Sequence, residues 1–382
     1  MNGPRLSAVL VRQHATRGWV IAVVAKRTYT VQGSLCHVSP EQIPLVEEPQ
    51  LDDDDRLVHD SDLLVQRRSA DIIVSGAARS PSPRPSFDAS IEIGSFARRL
   101  RVFGERRLQR TASGQLSFTP PTPVAEVPLT WENAYGGVDQ AALDELGDPF
   151  VEAAAQMGHP AGPRQSLFAY PRNPFGCGYL IEPTPAAIER CRLPSLEDPD
   201  QLLTPELVVR NDPRLWPTAP LPAATGWLGY ATFPRSLQLG LAPRLYLYDA
   251  LPPARFPEVT LGVLRPRTLD PTCPVNQRID VGVAQCAALG MRADSVPAAA
   301  DVRLVNLHPS QPDWRFRLPE RAPRLVFSLP AAPPADLEAH VRTVFIEPDA
   351  DRVSLVWVGE VEVDLPLFPA QLQRVEHAVL WE

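Results

Sequence analysis

Lysine is almost absent from this chain of 382 residues. Lys26 is the only lysine, so the other 36 of the 37 basic residues are arginine. Codon bias in a GC-rich genome explains such a preference, and so does an arginine-rich protein-binding surface, because guanidinium suits interfaces better than ammonium. The net charge of -8 and the pI near 5.5 give a field that repels phosphate backbones. This balance argues against general nucleic-acid binding.

Patterns that bind metals or cofactors are missing as well. The five cysteines are scattered without a CxxC pair, which argues against a zinc ribbon and against a dithiol redox site. None of the seven histidines pairs with another at a metal-binding spacing, and no HExxH occurs. The Gly-x-Gly of FGCGYL at 175–180 lacks the third glycine of a dinucleotide site, and no Walker A stretch is present. We therefore expect neither a metal nor a cofactor.

One acidic run has the composition of a metal site. Four consecutive carboxylates, Asp52, Asp53, Asp54 and Asp55, have the chemistry of a calcium site. The glycine-punctuated alternation of a calcium-binding loop does not follow them. A solvated loop is the favoured interpretation.

Long apolar runs are lacking too. Residues 1–18 contain neither the apolar core nor the cleavage site of a secretory signal. The longest apolar stretch there, WVIAVVA at 19–25, is far shorter than the roughly 20 residues of a membrane-spanning helix. The sequence therefore predicts a soluble protein of a reducing, cytoplasmic compartment, without a membrane partner.

Proline, in contrast, is abundant, with 44 residues. This is about twice its usual share of ~5%. Because proline fixes φ and removes a backbone donor, it is expelled from helix interiors and central strands. Short secondary-structure elements and long ordered loops are the expected result.

The segments with a clear pattern indicate strands. Residues 19–38 contain an apolar run, a turn at Gln32 and Gly33 and a second run, which predicts a hairpin. A second hairpin is predicted over 337–363, with its turn at 347–351. The expected fold is mainly β, with antiparallel sheets in a sandwich or barrel-like arrangement, few short helices and long proline-rich ordered loops.

Few segments of the sequence have a helical pattern. Helices are predicted at 141–148, 185–193 and 276–291. Prolines recur every few residues over 194–275, which indicates ordered coil draped over a core. We predict three regions that pack together: an N-terminal β-rich region at 1–190, a proline-rich connection at 191–300 and a C-terminal β-rich region at 301–382.

Two stretches that join aromatic residues to glycines are the candidates for a functional site: LTWENAYGGVDQ at 129–140 and AYPRNPFGCGYL at 169–180. As an active site they would use Cys177 as a nucleophile, which needs a base nearby, or Glu132 as a glycosidase acid, which needs a second carboxylate. The alternative is a strand that ends in a glycine corner, with Trp131 and Tyr135 in the core. We favour the corner, and burial of these residues decides between the two.

Four stretches, taken in chain order, resemble one known family. They are PLTWENAYGG at 128–137, RNPFGCGY at 172–179, LPSLEDP at 193–199 and VRLVNLHPSQPDWRFRLP at 302–319. The resemblance extends over roughly residues 5–360. It is to a bacterial domain family of unknown function that is encoded beside type VI secretion spike genes.

The resemblance is carried by matching positions in two family motifs. The matching residues are Trp131, Glu132, Ala134, Tyr135, Gly136 and Gly137 in the first motif and Asn173, Pro174, Gly176 and Gly178 in the second. Asn133 and Cys177 stand where the family commonly has basic residues, and residues 236–300 follow the family pattern only loosely.

The resemblance implies binding and not turnover. Members of such a family act as adaptors or chaperones that load PAAR-like tip proteins and their toxins onto the secretion spike. We therefore expect a non-enzymatic adaptor with a protein client, and with the spike protein as a further partner. The alternatives are a structural component of a contractile injection apparatus and a hydrolase that uses Glu132 or Cys177.

Overall fold

The computed structural model describes residues 4–13, 19–53, 56–64, 69–148, 152, 162–230, 232–233, 235, 286–329, 332–363 and 374–381. These residues form a mainly β protein, as predicted. The strands are β1 Ser7–Gln13, β2 Trp19–Gln32, β3 Leu35–Val38, β4 Gln50–Leu51, β5 Leu57–His59, β6 Ala70–Val74, β7 Ala77–Arg84, β8 Ser86–Ile93, β9 Phe96–Phe103, β10 Leu108–Arg110, β11 Leu116–Phe118, β12 Val124–Pro128, β13 Tyr135–Gly136, β14 Cys177–Gly178, β15 Leu196–Glu197, β16 Arg292–Ala293, β17 Asp301–Val305, β18 Asp313–Arg317, β19 Arg324–Ser328, β20 Ala335–Leu337, β21 His340–Glu347, β22 Arg352–Val363 and β23 Glu376–Leu380.

The helices whose bounds are described are short. They are α1 Gln140–Leu146, α2 Pro185–Arg190 and α3 Pro205–Val208, with 3₁₀ turns at Trp131–Asn133, Pro163–Gln165, Pro213–Thr218 and Pro348–Ala350. Helix α1 begins after Asp139, whose carboxylate accepts a hydrogen bond from the Ala142 amide, and α2 begins after Thr184, which caps in the same way. Both helices were predicted from the sequence. None of the helices in the described residues has the length and apolar character of a membrane span.

One large curled sheet of 12 strands organises the fold. Its order is β15-β9-β8-β17-β18-β3-β2-β22-β21-β6-β16, and β1 pairs with β2 beside this path. The sheet therefore joins strands from the beginning and the end of the chain. Smaller sheets accompany it, of which β20-β19-β23 is three-stranded.

Strand β2 explains why the N-terminal apolar run is continuous and does not alternate. Ala22 and Val24 pack with Ala8 and Val356 on one face of the sheet. On the opposite face Ile21, Val23 and Ala25 pack against residues that include Leu325 and Phe327 of the three-stranded sheet. A strand covered on both faces buries every side chain, and each buried Val or Ile contributes about 1.5–3 kcal/mol to folding.

The two predicted hairpins are present, but the sheet is mixed and not antiparallel throughout. Strands β2 and β3 pair as a hairpin, and so do β21 and β22. The expectation of antiparallel sheets is wrong for two pairs of the large sheet, in which β21 runs parallel to β6 and β18 runs parallel to β3, and for the small sheet of β13 and β14. Hairpin patterns report only on strands that are neighbours in sequence, whereas these parallel partners lie far apart in the chain.

The third predicted helix, at 276–291, is wrong where the structure describes it. Residues 276–285 lie outside the described residues, and 286–291 are not helical. Leu228 donates to the Cys286 carbonyl at 2.7 Å and Ala288 donates to the Gly226 carbonyl at 3.1 Å. These bonds pair the segment with an extended chain, and the tertiary pairing overrides its local helical pattern.

The two largest apolar clusters form most of the described core. The larger lies against the curled sheet and contains Ile72, Ile91, Trp314 and Trp357. The second is built mainly from the connections between 135 and 233. The described stretch 194–230 is mostly coil, as expected, and many of its residues are buried, whereas 236–285 lies outside the described residues. The division into three regions stays a prediction.

Candidate functional site at the junction of the two glycine motifs

The two glycine motifs meet in space, although about forty residues separate them in sequence. Tyr135 and Gly136 form β13, which pairs in parallel with Cys177 and Gly178 of β14. The Cys177 amide donates to the Ala134 carbonyl at 3.2 Å, and the Tyr179 amide donates to the Gly136 carbonyl at 3.0 Å. The motifs therefore form one backbone unit.

Glycine is required in this unit because the two backbones touch. A Cβ atom on Gly136, whose φ is +151°, would lie 2.1 Å from the Asn173 carbonyl oxygen. One on Gly137, whose φ is +100°, would lie 2.5 Å from the Gly176 carbonyl oxygen. Positive φ values and close approach both favour glycine. Gly136 and Gly137 of the first motif therefore pack directly against the backbone of the second motif, with no space for a side chain.

The side chain of Asn173 joins the motifs further. Asn173 is fully buried, and its Nδ2 donates to the carbonyls of Trp131 at 2.8 Å and of Tyr135 at 3.1 Å. Its Oδ1 accepts a hydrogen bond from the Phe175 amide at 3.2 Å. One amide group therefore satisfies main-chain groups of both motifs, which explains why asparagine suits this position.

Aromatic side chains pack the junction into the core. Tyr135, Tyr170 and Tyr179 are buried, with ring centroids 5.2–6.4 Å apart. The Tyr135 hydroxyl donates to the Leu207 carbonyl at 3.0 Å, and burial raises the pKa of Tyr135 well above its ordinary value. Trp131 is partly buried against the larger cluster, and its Nε1 donates to the Trp227 carbonyl at 2.9 Å.

A buried arginine supports the second motif. Arg172 is 2% exposed, and its guanidinium donates to the Tyr170 hydroxyl and to the carbonyls of Pro217 and Ala219 at 3.1–3.3 Å. It also lies 5.1 Å from the ring centroid of Trp216. Arg172 directly precedes the Asn-Pro of the second motif, and no pattern in the sequence indicates its burial.

The carboxylate of Glu132 belongs to an ion pair. It pairs with Arg56, which also binds Asp52 at 2.6 Å. Burial acts to raise the pKa of Glu132, but hydrogen bonds from its own backbone, Arg56 and Thr130 outweigh burial and hold the pKa below its ordinary value. Glu132 is therefore ionised at neutral pH, the wrong state for a general acid.

Cys177 carries an unactivated thiol. Its Sγ donates to the Glu132 main-chain carbonyl at 3.4 Å, and Arg192 donates to the same carbonyl at 3.0 Å. Burial raises the pKa of Cys177, although Arg192 acts in the opposite direction. The thiolate is the nucleophilic form of cysteine, and a raised pKa disfavours that form.

A small cavity lies beside Cys177. The cavity holds about 210 Å³ and is lined by Gly137, Asp139, Cys177, Cys191 and Arg192, among others. No histidine is among its described lining residues, and neither is Glu132. The structure thus keeps the two proposed catalytic groups, the Glu132 carboxylate and the Cys177 thiol, in different environments.

Histidines and acidic residues elsewhere have other contacts. His59 lies 2.7 Å from the Asp60 carbonyl and stacks near Trp227, while His308 lies 2.8 Å from Asp351. Within the described ranges no three His, Cys, Asp or Glu side chains group as metal ligands do. Of the aspartate run, Asp54 and Asp55 lie outside the described residues.

A family model described as an uncharacterized protein conserved in bacteria (DUF2169) matches residues 15–358. The chain belongs to this bacterial family. The match spans both glycine motifs and most of the large sheet. The comparisons with curated proteins and with solved structures found no match.

Proposed function

We propose that this protein is an adaptor or chaperone that binds a PAAR-like spike-tip protein, or a toxin fused to one, and assists its loading onto a type VI secretion spike. The observation that carries the proposal is the buried junction of the two motifs. The residues that carry the family resemblance are used for backbone contacts and core packing, with Asn173 and Tyr135 as the clearest cases.

The chemistry of the junction supports binding over turnover. A nucleophilic cysteine needs a base, and a glycosidase acid needs a protonated carboxyl group with a second carboxylate nearby. Cys177 has a raised pKa, and Glu132 has a lowered pKa within its ion pair with Arg56. These states suit a scaffold that positions surfaces for a client.

The proposed mechanism is transient protection. A spike-tip protein exposes surface that its neighbours cover only after assembly, and an adaptor covers that surface until then. The interaction is expected to use aromatic and arginine anchors, which dominate the binding energy of protein interfaces. The high arginine content of the chain suits this role.

Co-expression with the product of each neighbouring gene, followed by pull-down through a tag on this chain, tests the proposal. We expect a PAAR-like or toxin protein to be retained and to become more soluble, while the chain is missing from purified assembled spikes. If no such protein is retained, the adaptor function is rejected. Stable stoichiometric incorporation into assembled particles would instead favour a structural component, and hydrolysis of a substrate that Glu132→Gln or Cys177→Ser abolishes would favour an enzyme.

A further inference from the structure

Two proline-rich segments outside both glycine motifs lie on the surface of the protein. They are RSPSPRP at 79–85 and TPPTP at 119–123. Their exposed prolines are Pro81, Pro83, Pro85, Pro120 and Pro123. An apolar ring that stays in contact with water is available to pack against a partner, so these segments are candidates for an interaction surface.

The backbone places the two segments side by side. Arg84 of β7 is the register partner of Val124 of β12. Gly104 lies between the segments, because its amide donates to the Pro85 carbonyl at 3.0 Å and a Cβ atom on it would overlap the Thr122 carbonyl oxygen. The prolines of both segments therefore contribute to one surface. We call it the proline surface, and it consists of Pro81, Pro83, Arg84, Pro85, Pro120 and Pro123.

Strand β7 departs from its ladder within the first segment. Its pairs with β12 stop at Arg79 and resume at Arg84, so residues 80–83 lie opposite Ala125 alone. The segment is extended and is held by the ladder at both ends. Because proline has no N–H group, the segment presents rings and not backbone donors to a partner.

The second segment is fixed at its beginning and has the spacing of a proline-rich ligand. The Thr119 amide donates to the Arg107 carbonyl at 3.0 Å. Pro120 and Pro123 follow with two residues between them. Segments with this P-x-x-P spacing adopt the polyproline II conformation and bind grooves that are lined by aromatic side chains.

Protection of a strand edge explains only part of this surface. Prolines within β7 prevent other strands from pairing with it. Pro120 and Pro123 lie outside the strands, so edge protection gives no reason for their exposure. Proline rings lose little conformational entropy when a partner covers them, which makes such a surface efficient for binding.

Arg84 adds a positive charge to the surface. It is exposed, and no ion pair or hydrogen bond joins its guanidinium to another of the described residues. The carboxylates of the adjacent segments already have partners, since Glu126 pairs with Arg79 and Glu105 pairs with Arg107. The charge of Arg84 therefore favours a carboxylate on the bound partner.

We propose that the proline surface binds an aromatic-lined groove of the client protein, in which Trp or Tyr rings pack on the prolines and a carboxylate pairs with Arg84. This inference rests on the proposed adaptor function. It gives that function a binding surface and states the chemistry of the client that fits it.

The first test uses the full chain and the client protein that co-expression retains. Arg84→Glu reverses the charge of the surface. Arg374→Glu is the matched control, because Arg374 is also exposed without an ion pair among the described residues, in the turn before β23. We expect the dissociation constant to rise about fivefold or more for Arg84→Glu and to stay unchanged for Arg374→Glu. Thermal unfolding of both variants confirms equal folding.

A second variant tests the rings independently of the charge. Pro83→Ala with Pro123→Ala removes a ring from each segment, and Pro309→Ala removes an exposed ring elsewhere. The double variant should also weaken client binding about fivefold or more, whereas Pro309→Ala should leave it unchanged. A monomeric double variant in size-exclusion chromatography separates this effect from self-association through the strand edge.

A photo-crosslinking residue locates the contact. It replaces Ser82, which is exposed between two prolines, or Ala97, which is exposed at the opposite end of the β8–β9 hairpin. Crosslinking from position 82 alone, to a client segment that contains Trp or Tyr, supports the proposal. Unchanged affinity of Arg84→Glu and of the double proline variant, with crosslinking from position 97 alone, overturns the proline surface while the adaptor function stands. Retention of no client at all overturns both.

Discussion

Asn173 and Trp131 are joined by a hydrogen bond of 2.8 Å, in which the side-chain amide of Asn173 donates to the main-chain carbonyl of Trp131. The bond links two sequence motifs that lie 42 positions apart. Asn173 is fully buried, so water cannot replace the bond if the side chain is removed. The relationship makes the motif asparagine part of the fold's internal framework.

We predict that Asn173→Ala lowers the free energy of unfolding by about 2–4 kcal/mol, because several buried carbonyl groups lose their donor. Asn133→Ala is the matched control, since the Asn133 amide donates to the Pro128 carbonyl at an exposed position. Its expected cost is about 1 kcal/mol or less. Urea unfolding of the two variants measures both values, and equal losses would contradict the framework role of Asn173.

The diglycine gives a prediction based on close approach. Gly136→Ala puts a Cβ atom 2.1 Å from a backbone oxygen, so we expect an insoluble or strongly destabilised protein. Gly114→Ala is the control, because Gly114 also has a positive φ, of +84°, but nothing within 4 Å of its Cβ position. It should cost only about 1–2 kcal/mol. Soluble yield and thermal midpoint compare the two, and a soluble Gly136→Ala protein of normal stability would refute the contact.

The only lysine gives a third prediction. Lys26 and Asp62 are each 1% exposed, their side chains lie 2.8 Å apart, and Asp62 also accepts a hydrogen bond from the Val46 amide. Lys26→Ala leaves a buried carboxylate without its cation, so the expected loss is about 3–5 kcal/mol. Arg324→Ala, in the exposed pair with Asp336, should cost about 1 kcal/mol or less. Chemical denaturation distinguishes the two cases.

The double variant Lys26→Met with Asp62→Leu sharpens this test. It removes both charges together and leaves neither partner alone, so it should lose less stability than Lys26→Ala. If the double variant were less stable than Lys26→Ala, the attraction between Lys26 and Asp62 would exceed the free-energy cost of desolvating the two charges.

Alkaline pH is predicted to destabilise the protein. Burial raises the pKa of Cys36 and of Cys191 from 9 to about 12, and raises that of Tyr29 from 10 to about 12. Because these folded-state pKa values exceed the unfolded ones, the stabilisation is complete below pH 9 and is lost as pH rises toward 12. Denaturation at several pH values in the presence of a reductant measures the decline.

One cysteine variant tests the source of this pH dependence. Cys191→Ala removes one of the titrating groups, so its free energy of unfolding should fall less steeply between about pH 9 and about pH 11 than that of the wild type. Equal slopes for the two proteins would show that Cys191 does not titrate as burial implies.

Sequence patterns were sufficient to predict the elements whose contacts join residues close together in the chain. The hairpins β2–β3 and β21–β22 and the helices α1 and α2 were predicted because apolar runs, turn residues and proline or glycine boundaries lie within a few positions of each other. The parallel pairing of β6 with β21 was not predictable in this way, since its register depends on contacts between distant segments.

The contacts of the candidate site also join distant segments, so sequence patterns did not predict them. The glycines of both motifs can be recognised in the sequence. Nothing in the sequence indicates that Gly136 and Gly137 pack against the backbone of the second motif. The sequence also carries no signal that Arg172 is buried or that the Glu132 carboxylate pairs with Arg56, which lies 76 positions away. A buried polar group can be recognised only when the partners that satisfy it are known.

Client retention by a double variant, Glu132→Gln with Cys177→Ser, tests the central claim most directly. The claim is that the motif junction supports binding and performs no chemistry. Co-expression of the client with the double variant should give the same retained amount and the same client solubility as with the wild type. Hydrolysis of the client or of another substrate by the wild type that the double variant abolishes, at an unchanged thermal midpoint, would contradict the account and return the junction to the class of active sites.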